Sequence, residues 1–163
     1  MCRKDDFTLR RDALRHPLFA THGFAVVRCD MRGSGPSDGY LRGEYLETEL
    51  ADAEDVVAWI VRQDWCSGAV GLYGKSWGGF NGLQIAARGV PGVRAVVSLY
   101  STDDRYADDV HYIGGAVLAE QMLSWSSIMF AWNARAPDVE HEPDWREKWV
   151  RSMCACAHST TGR

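Results

Sequence analysis

Apolar positions along this chain alternate between short continuous runs and stretches with helical spacing. Three runs are apolar nearly throughout, as is typical of strands buried on both faces of a sheet: residues 25–29, 69–73 and 95–99. Residues 48–62 repeat Leu and Val at helical spacing, with Thr48 as the predicted N-cap. Helical patterns also cover residues 11–21 and 80–87. Strands that alternate with helices predict an α/β fold with a parallel sheet and crossover helices.

The composition of the chain changes after the third apolar run, residues 95–99. Residues 103–151 are first acidic and aromatic and then rich in Trp, which predicts helices that begin a cap. Residues 152–163 have no periodicity and are predicted to be an irregular tail. Residues 1–102 are then the predicted α/β core.

Composition narrows the function classes. The chain has 163 residues, of which 46% are hydrophobic and 25% charged, as expected of one globular domain. The net charge of −4, with dispersed basic residues, argues against a nucleic-acid partner. No signal peptide or transmembrane run is found, which predicts a cytoplasmic protein without membrane contact. Five cysteines without a ligand spacing predict free thiols and no metal.

Residues 74–78, with the sequence Gly-Lys-Ser-Trp-Gly, join the second apolar run to a helical pattern. A G-x-S-x-G motif at a strand-to-helix turn is the nucleophile turn of α/β-hydrolases, in which the serine has a strained backbone. Ser76 is therefore the predicted nucleophile towards an acyl carbonyl. The backbone N–H of Trp77 is the predicted oxyanion donor. Gly74 and Gly78 are predicted to let the strand and the helix approach each other.

Other interpretations of these glycine-rich segments were weighed. The segment that ends at Ser76 resembles a phosphate-binding loop, but the first glycine of that motif is replaced by Ala69. Residues 33–39 resemble a dinucleotide fingerprint, but they contain Pro36 and no helix begins there. A plain glycine-rich turn with a solvated serine is the third alternative.

Three segments carry a resemblance to a known family. They are an Asp-Met-Arg-Gly-Ser-Gly segment at residues 30–35, the nucleophile turn at residues 74–80 and an Asp-rich segment at residues 101–112. In order and spacing they resemble the CocE/NonD family of cocaine-esterase-like and X-Pro dipeptidyl-peptidase-like serine hydrolases. The resemblance runs from about Arg3 to about Arg151.

The resemblance implies an α/β-hydrolase with a helical cap that acts through Ser76 on a small-molecule ester or on an amide bond after proline. It implies no cofactor. In the family an oxyanion-hole tyrosine lies in a Pro-Tyr-Arg-Lys-like segment. Here that segment is Met-Cys-Arg-Lys at residues 1–4, so Cys2 stands in place of the tyrosine. A thiol is a weak donor, and loss of one oxyanion donor costs about 100- to 1,000-fold in turnover.

The family's triad Asp and His would follow the cap, beyond residue 163, so the resemblance implies a central fragment with a partial α/β-hydrolase fold. Within the chain His111, with His141 and His158 as lesser candidates, is the available base, but the family pattern places His111 at the entrance to the cap. A hydrogen-bonded structural role is therefore predicted for it. The aspartates of residues 103–109 are predicted to form a loop network with Arg105.

Two functions remain open. The first is a serine hydrolase that transfers an acyl group to water through an acyl-Ser76 intermediate. The second is a catalytically inactive fragment, or an interaction module, that keeps the nucleophile turn. A hydrophobic substrate pocket would involve Trp77, with Trp125 and Trp132 as further candidates.

Overall fold

The computed structural model of the protein describes residues 6–34, 37–137, 139–140 and 142–159. Its helices are α1 (Asp6–Thr21), α2 (Glu47–Val61), α3 (Trp77–Ala87), α4 (Ala119–Asn133) and α5 (Trp145–Ser159). Its strands are β1 (Val70–Lys75), β2 (Val93–Leu99), β3 (Tyr112–Ile113) and β4 (Ala116–Val117). Within the described ranges, no helix has the length and apolar character needed to cross a membrane.

The chain forms two compact units. The central unit is Gly43–Asn133, and the terminal unit combines Met1–Arg42 with Ala134–Arg163. The predicted domain boundaries at residues 102 and 151 stay a prediction.

The sheet of the central unit pairs β1 and β2 in parallel. Its register is irregular between Val70 and Gly71 and then continues to Lys75, which lies opposite Leu99. Helix α3 connects the two strands and packs against both, while α2 packs against α3 and β1. The predicted α/β class with a parallel sheet and crossover helices is confirmed.

The core of the central unit lies between α2, the two strands and α3. Leu50 and Val57, two turns apart on α2, are 8% and 3% exposed. They pack with Val70 of β1, Ile85 of α3 and Val90 of the following turn. The apolar face predicted for residues 48–62 therefore forms this core.

The start of α2 differs from the prediction. The helix begins at Glu47 with Leu46 in the N-cap position, and no side chain caps it there. Thr48 is therefore not the N-cap. Instead the carboxylate of Glu49 accepts a 2.8 Å hydrogen bond from the backbone N–H of Tyr45. A capping-box glutamate reaches back from the third helical position to the N–H of the N-cap residue, whereas Glu49 reaches one residue further, to the N–H before the N-cap.

A short hairpin precedes α4. Strands β3 and β4 pair antiparallel through a turn of Gly114 and Gly115, whose φ angles are 55° and 80°. Positive φ at both turn residues matches the twist of a tight hairpin and favours glycine. The helix expected after residue 103 is present as α4, although none of its residues is buried.

The strand predicted at residues 25–29 is wrong: in the terminal unit this segment follows α1 as irregular chain. Val26 and Val27 are each 40% exposed, and Phe24 is 64% exposed. A β-strand is defined by hydrogen bonds to a neighbour, and apolar sequence alone does not supply one. The described parallel sheet therefore has two strands where the sequence predicted three.

The irregular tail predicted from residue 152 is also wrong over most of its length, because α5 continues to Ser159. Arg151 pairs with Glu147 at 2.8 Å, one turn away on the same helix. The indole N–H of Trp149 donates a 2.9 Å hydrogen bond to the carbonyl oxygen of Ala134. Met and Ala in residues 152–157 have high helix propensity, which outweighs their missing periodicity.

Candidate active site

Ser76 occupies the turn between β1 and α3 with φ 54° and ψ −121°. A serine with positive φ has a strained backbone, at a cost of about 1–3 kcal/mol, and such strain gathers at functional sites. Ser76 stands in the N-cap position of α3, yet its side chain does not cap the helix. The strained turn predicted from the motif is confirmed in its backbone geometry.

Glycines permit the tight packing around this turn. A Cβ atom at Gly74 would collide with the backbone carbonyl group of Gly78. One at Gly79 would lie 2.8 Å from Ser98 Oγ and 2.9 Å from Ser101 Oγ. A Cβ atom at Gly78, in contrast, would meet no atom within 4 Å. The prediction that Gly74 is needed for close approach is confirmed, whereas on the helix side the crowded position is Gly79 and not Gly78.

Two backbone hydrogen bonds fix Ser76 in place. Its N–H donates to the carbonyl oxygen of Leu99 at 2.7 Å, and its carbonyl oxygen accepts from the N–H of Phe80 at 2.9 Å. Trp77 is the first residue of α3, and the first N–H groups of a helix have no partner within it. The backbone N–H of Trp77 therefore has no acceptor within α3, and its role as an oxyanion donor stays a prediction.

Ser76 lies on an open cleft of the central unit with a volume of about 680 Å³. Residues that are far apart in the sequence of that unit line the cleft. They include Tyr45, Lys75, Tyr100, Asp109, His111 and Trp125. The predicted pocket residue Trp125 is therefore on the cleft. Trp132 packs edge-on against Trp125, with ring centroids 6.0 Å apart, and is 49% exposed. Trp77 packs against Tyr45 instead of lining the cleft.

Tyr45 is a residue of the cleft that the sequence analysis missed. Its φ is 62°, and its ring lies 6.1 Å from Trp77 and 5.7 Å from Phe80 between centroids. The guanidinium of Arg105 stacks 3.8 Å over the Tyr45 ring and 4.0 Å over that of Phe80. Burial, together with the nearby Glu44 carboxylate, raises the pKa of Tyr45 to about 12. The Tyr45 side chain that lines the cleft is therefore a neutral phenol.

His111 is held between two carboxylates. Its Nδ1 lies 2.8 Å from Asp109 Oδ2, and the Asp109 side chain is only 2% exposed. Its Nε2 lies 3.8 Å from Glu44 Oε2, while Glu44 also accepts a 2.7 Å hydrogen bond from the Trp125 indole. Because both ring nitrogens of His111 face carboxylates, the geometry favours the predicted structural role over that of a base for Ser76.

The neighbouring aspartates stabilise their own loop. Asp104 Oδ1 accepts hydrogen bonds from the backbone N–H groups of Tyr106 at 3.0 Å and Ala107 at 3.1 Å. Arg105 stacks on aromatic rings, and an ion pair with these aspartates is not formed among the described residues. In the same ranges no three His, Cys, Asp or Glu side chains gather as a metal site.

Some predicted residues cannot be placed. Cys2 and His141 lie outside the described residues, as does the side chain of His158.

The chain matches known proteins over nearly its whole length. The family of X-Pro dipeptidyl-peptidases (S15 family) matches residues 3–161. The cocaine esterase of Rhodococcus sp. is 38% identical over 111 residues, which cover 68% of this chain and 19% of the relative. A protein of Mycobacterium bovis, named as a candidate serine esterase, is 30% identical over 160 residues, or 90% of this chain and 25% of the relative.

A further relative carries a peptidase name. The Xaa-Pro dipeptidyl-peptidase of Lactobacillus helveticus is 32% identical over 115 residues, which cover 61% of this chain and 14% of the relative. The chain thus spans a quarter or less of the length of these three proteins. Esterases and peptidases of this kind are hydrolases, so the resemblance noted in the sequence is confirmed. From the family match over residues 3–161, we conclude that this chain belongs to the X-Pro dipeptidyl-peptidase (S15) family of serine hydrolases.

Proposed function

We propose that Ser76 is the nucleophile of an α/β-hydrolase fold and attacks the acyl carbonyl of a small-molecule ester or an X-Pro peptide. The observation that carries the proposal is the strained Ser76 backbone, φ 54°, at the β1–α3 turn on the open cleft. No described residue hydrogen-bonds to the Ser76 hydroxyl, so it is free to meet a substrate. A serine hydroxyl placed in this way is the starting point of acyl transfer.

In the proposed reaction Ser76 Oγ bonds to the acyl carbon, the ester C–O or amide C–N bond breaks, and the alcohol or amine leaves with the proton of the serine hydroxyl. Water then releases the acyl group and restores the hydroxyl. The Trp77 N–H stabilises the negative charge that develops on the carbonyl oxygen in both steps. We assign neither the triad acid nor the base to a residue of this chain, and the reaction needs no cofactor.

One observation favours the alternative, a chain that keeps the nucleophile turn without catalysis. His111 is the histidine of the cleft, and both of its nitrogens face carboxylates. Without a base the serine keeps only the residual rate that binding and oxyanion contacts provide. The two functions therefore differ in whether Ser76 reacts at the rate of an enzyme or only at this residual rate.

The test exposes the purified chain to a fluorophosphonate probe, to p-nitrophenyl acetate and to an X-Pro p-nitroanilide. Ser76→Ala is the loss variant, and Ser127→Ala is the matched control, because Ser127 is an exposed serine bonded within α4. Labelling and hydrolysis that persist in Ser127→Ala and vanish in Ser76→Ala support the enzyme. If the unmodified chain shows neither labelling nor hydrolysis, the result supports the inactive alternative. The relative rates on ester and anilide then separate the two substrate classes.

A further inference from the structure

Glu49 connects the start of α2 to the nucleophile turn. One carboxylate oxygen accepts the 2.8 Å hydrogen bond from the Tyr45 backbone N–H. The other accepts a hydrogen bond from the side-chain amide of Asn81, which lies on α3. Glu49 does not line the cleft, so it would act through its neighbours and not on a substrate.

A third donor belongs to the same cluster. The indole N–H of Trp77 is buried and forms no hydrogen bond of normal geometry within the described part of the chain. It nevertheless lies close enough to Glu49 to lower the pKa of that carboxyl. Trp77 and Asn81 are one turn apart on α3 and therefore point to the same side of the helix. The two oxygens of a carboxylate can accept hydrogen bonds from several donors at once.

The neighbours of Glu49 adjoin Ser76 in sequence or line the same cleft. Trp77 follows Ser76 directly, and Tyr45, whose N–H Glu49 binds, packs its ring on Trp77 and lines the cleft. A shift of this cluster would change both the Trp77 amide and the cleft wall. Errors of about 1 Å in such groups can cost on the order of 100-fold in rate.

We propose that the Glu49 carboxylate is a positioning residue, which fixes the first turn of α3 and the Tyr45 wall and thereby sets the reactivity of Ser76. This inference rests on the proposed function for its rate effect. Burial, the largest influence, raises the pKa of Glu49, and the nearby Glu44 carboxylate raises it further. The hydrogen bonds from Asn81 and Tyr45 act in the opposite direction. Glu49 therefore changes protonation above the pH at which an exposed glutamate does.

The test compares Glu49→Gln with Glu47→Gln. Both residues lie in the first turn of α2, but Glu47 is exposed and pairs with Arg88 instead. Gln offers one acceptor oxygen and turns an N–H towards a donor. We expect Glu49→Gln to slow fluorophosphonate labelling of Ser76 by about ten-fold, the effect of one lost hydrogen bond to a charged group. Glu47→Gln should label at the unmodified rate.

A second readout does not depend on activity. In ¹⁵N NMR spectra of the unmodified chain, the Trp77 indole and the backbone amides of Tyr45 and Trp77 should shift together in one pH titration. That titration should persist in Glu47→Gln and be absent in Glu49→Gln. Trp77→Phe assigns the indole signal, and it should raise the pKa of Glu49 by removing a donor. If Glu49→Gln does not fold, the titration of the unmodified chain and of Trp77→Phe still decides the matter.

The outcomes separate this inference from the proposed function. If the unmodified chain is not labelled, the proposed function fails, and the common titration alone decides whether Glu49 positions the turn. If labelling occurs but Glu49→Gln reacts as fast as Glu47→Gln, the positioning role is overturned. Independent titration of Trp77 and Tyr45 would overturn it as well.

Discussion

The backbone N–H of Ser76 donates a 2.7 Å hydrogen bond to the carbonyl oxygen of Leu99, the last residue of β2. This bond joins the strained turn to the end of the neighbouring strand. Just beyond it Tyr100 also has a positive φ, 54°, and its side chain lines the cleft with Ser76. Two strained residues at adjacent strand ends therefore form one edge of the candidate active site, and the pairing of β1 with β2 sets their separation.

Gly74→Ala is expected to destabilise the protein by several kcal/mol, because the added methyl group collides with the Gly78 carbonyl group. Gly78→Ala is the matched change, since its Cβ atom meets no atom within 4 Å and alanine favours a helix by about 1 kcal/mol over glycine. Urea unfolding of each variant measures the change in the free energy of unfolding. Equal losses in the two variants would contradict the packing described for this turn.

His111→Gln is expected to lower the free energy of unfolding by about 1–3 kcal/mol, because buried Asp109 loses its hydrogen-bond partner. Labelling of Ser76 in the folded fraction should change by less than about ten-fold if His111 is structural. His22→Gln, which removes an exposed histidine, is the control. Unchanged stability with labelling lost by orders of magnitude would instead identify His111 as the base.

The raised pKa of Glu49 predicts a pH dependence of stability. The folded state binds this proton more tightly than the unfolded state, whose pKa is near the ordinary value of 4.5. The free energy of unfolding should therefore fall as the pH rises through the pKa of the folded state. Glu49→Gln removes that contribution and should flatten the curve in this window, while Glu47→Gln should keep it. Denaturant unfolding at a series of mildly acidic pH values provides the comparison.

The raised pKa of Tyr45 predicts a second pH dependence of stability, at alkaline pH. Its pKa is about 12 in the folded protein against 10.0 for a free tyrosine, so folding favours the neutral phenol. Its contribution to stability is present below pH 10.0 and is lost as the pH rises towards 12. In Tyr45→Phe the tyrosinate absorbance that appears near pH 12 should be reduced. Tyr106→Phe, at a 70% exposed tyrosine, is the control, and an unchanged titration in Tyr45→Phe would contradict the prediction.

Local patterns in the sequence were sufficient to predict the elements on either side of the Ser76 turn. The spacing of Leu50 and Val57 predicted α2, and the glycine-flanked serine between an apolar run and a helical pattern predicted β1, Ser76 and α3. These features depend on neighbours within a few residues, which the sequence contains directly. The strand predicted at residues 25–29 failed because a strand requires a partner, which the residues of the run cannot specify.

The sequence by itself determined the family, the α/β class and the position of the strained serine, because motif, periodicity and glycine placement are local. Only the tertiary structure assembled Tyr45, Glu49 and Arg105 around α3 and placed both nitrogens of His111 against carboxylates. It also showed that Gly79, and not Gly78, is the crowded glycine on the helix side. These contacts join residues far apart in the chain, and their burial and charge exist only after α2, β1 and α3 have packed together.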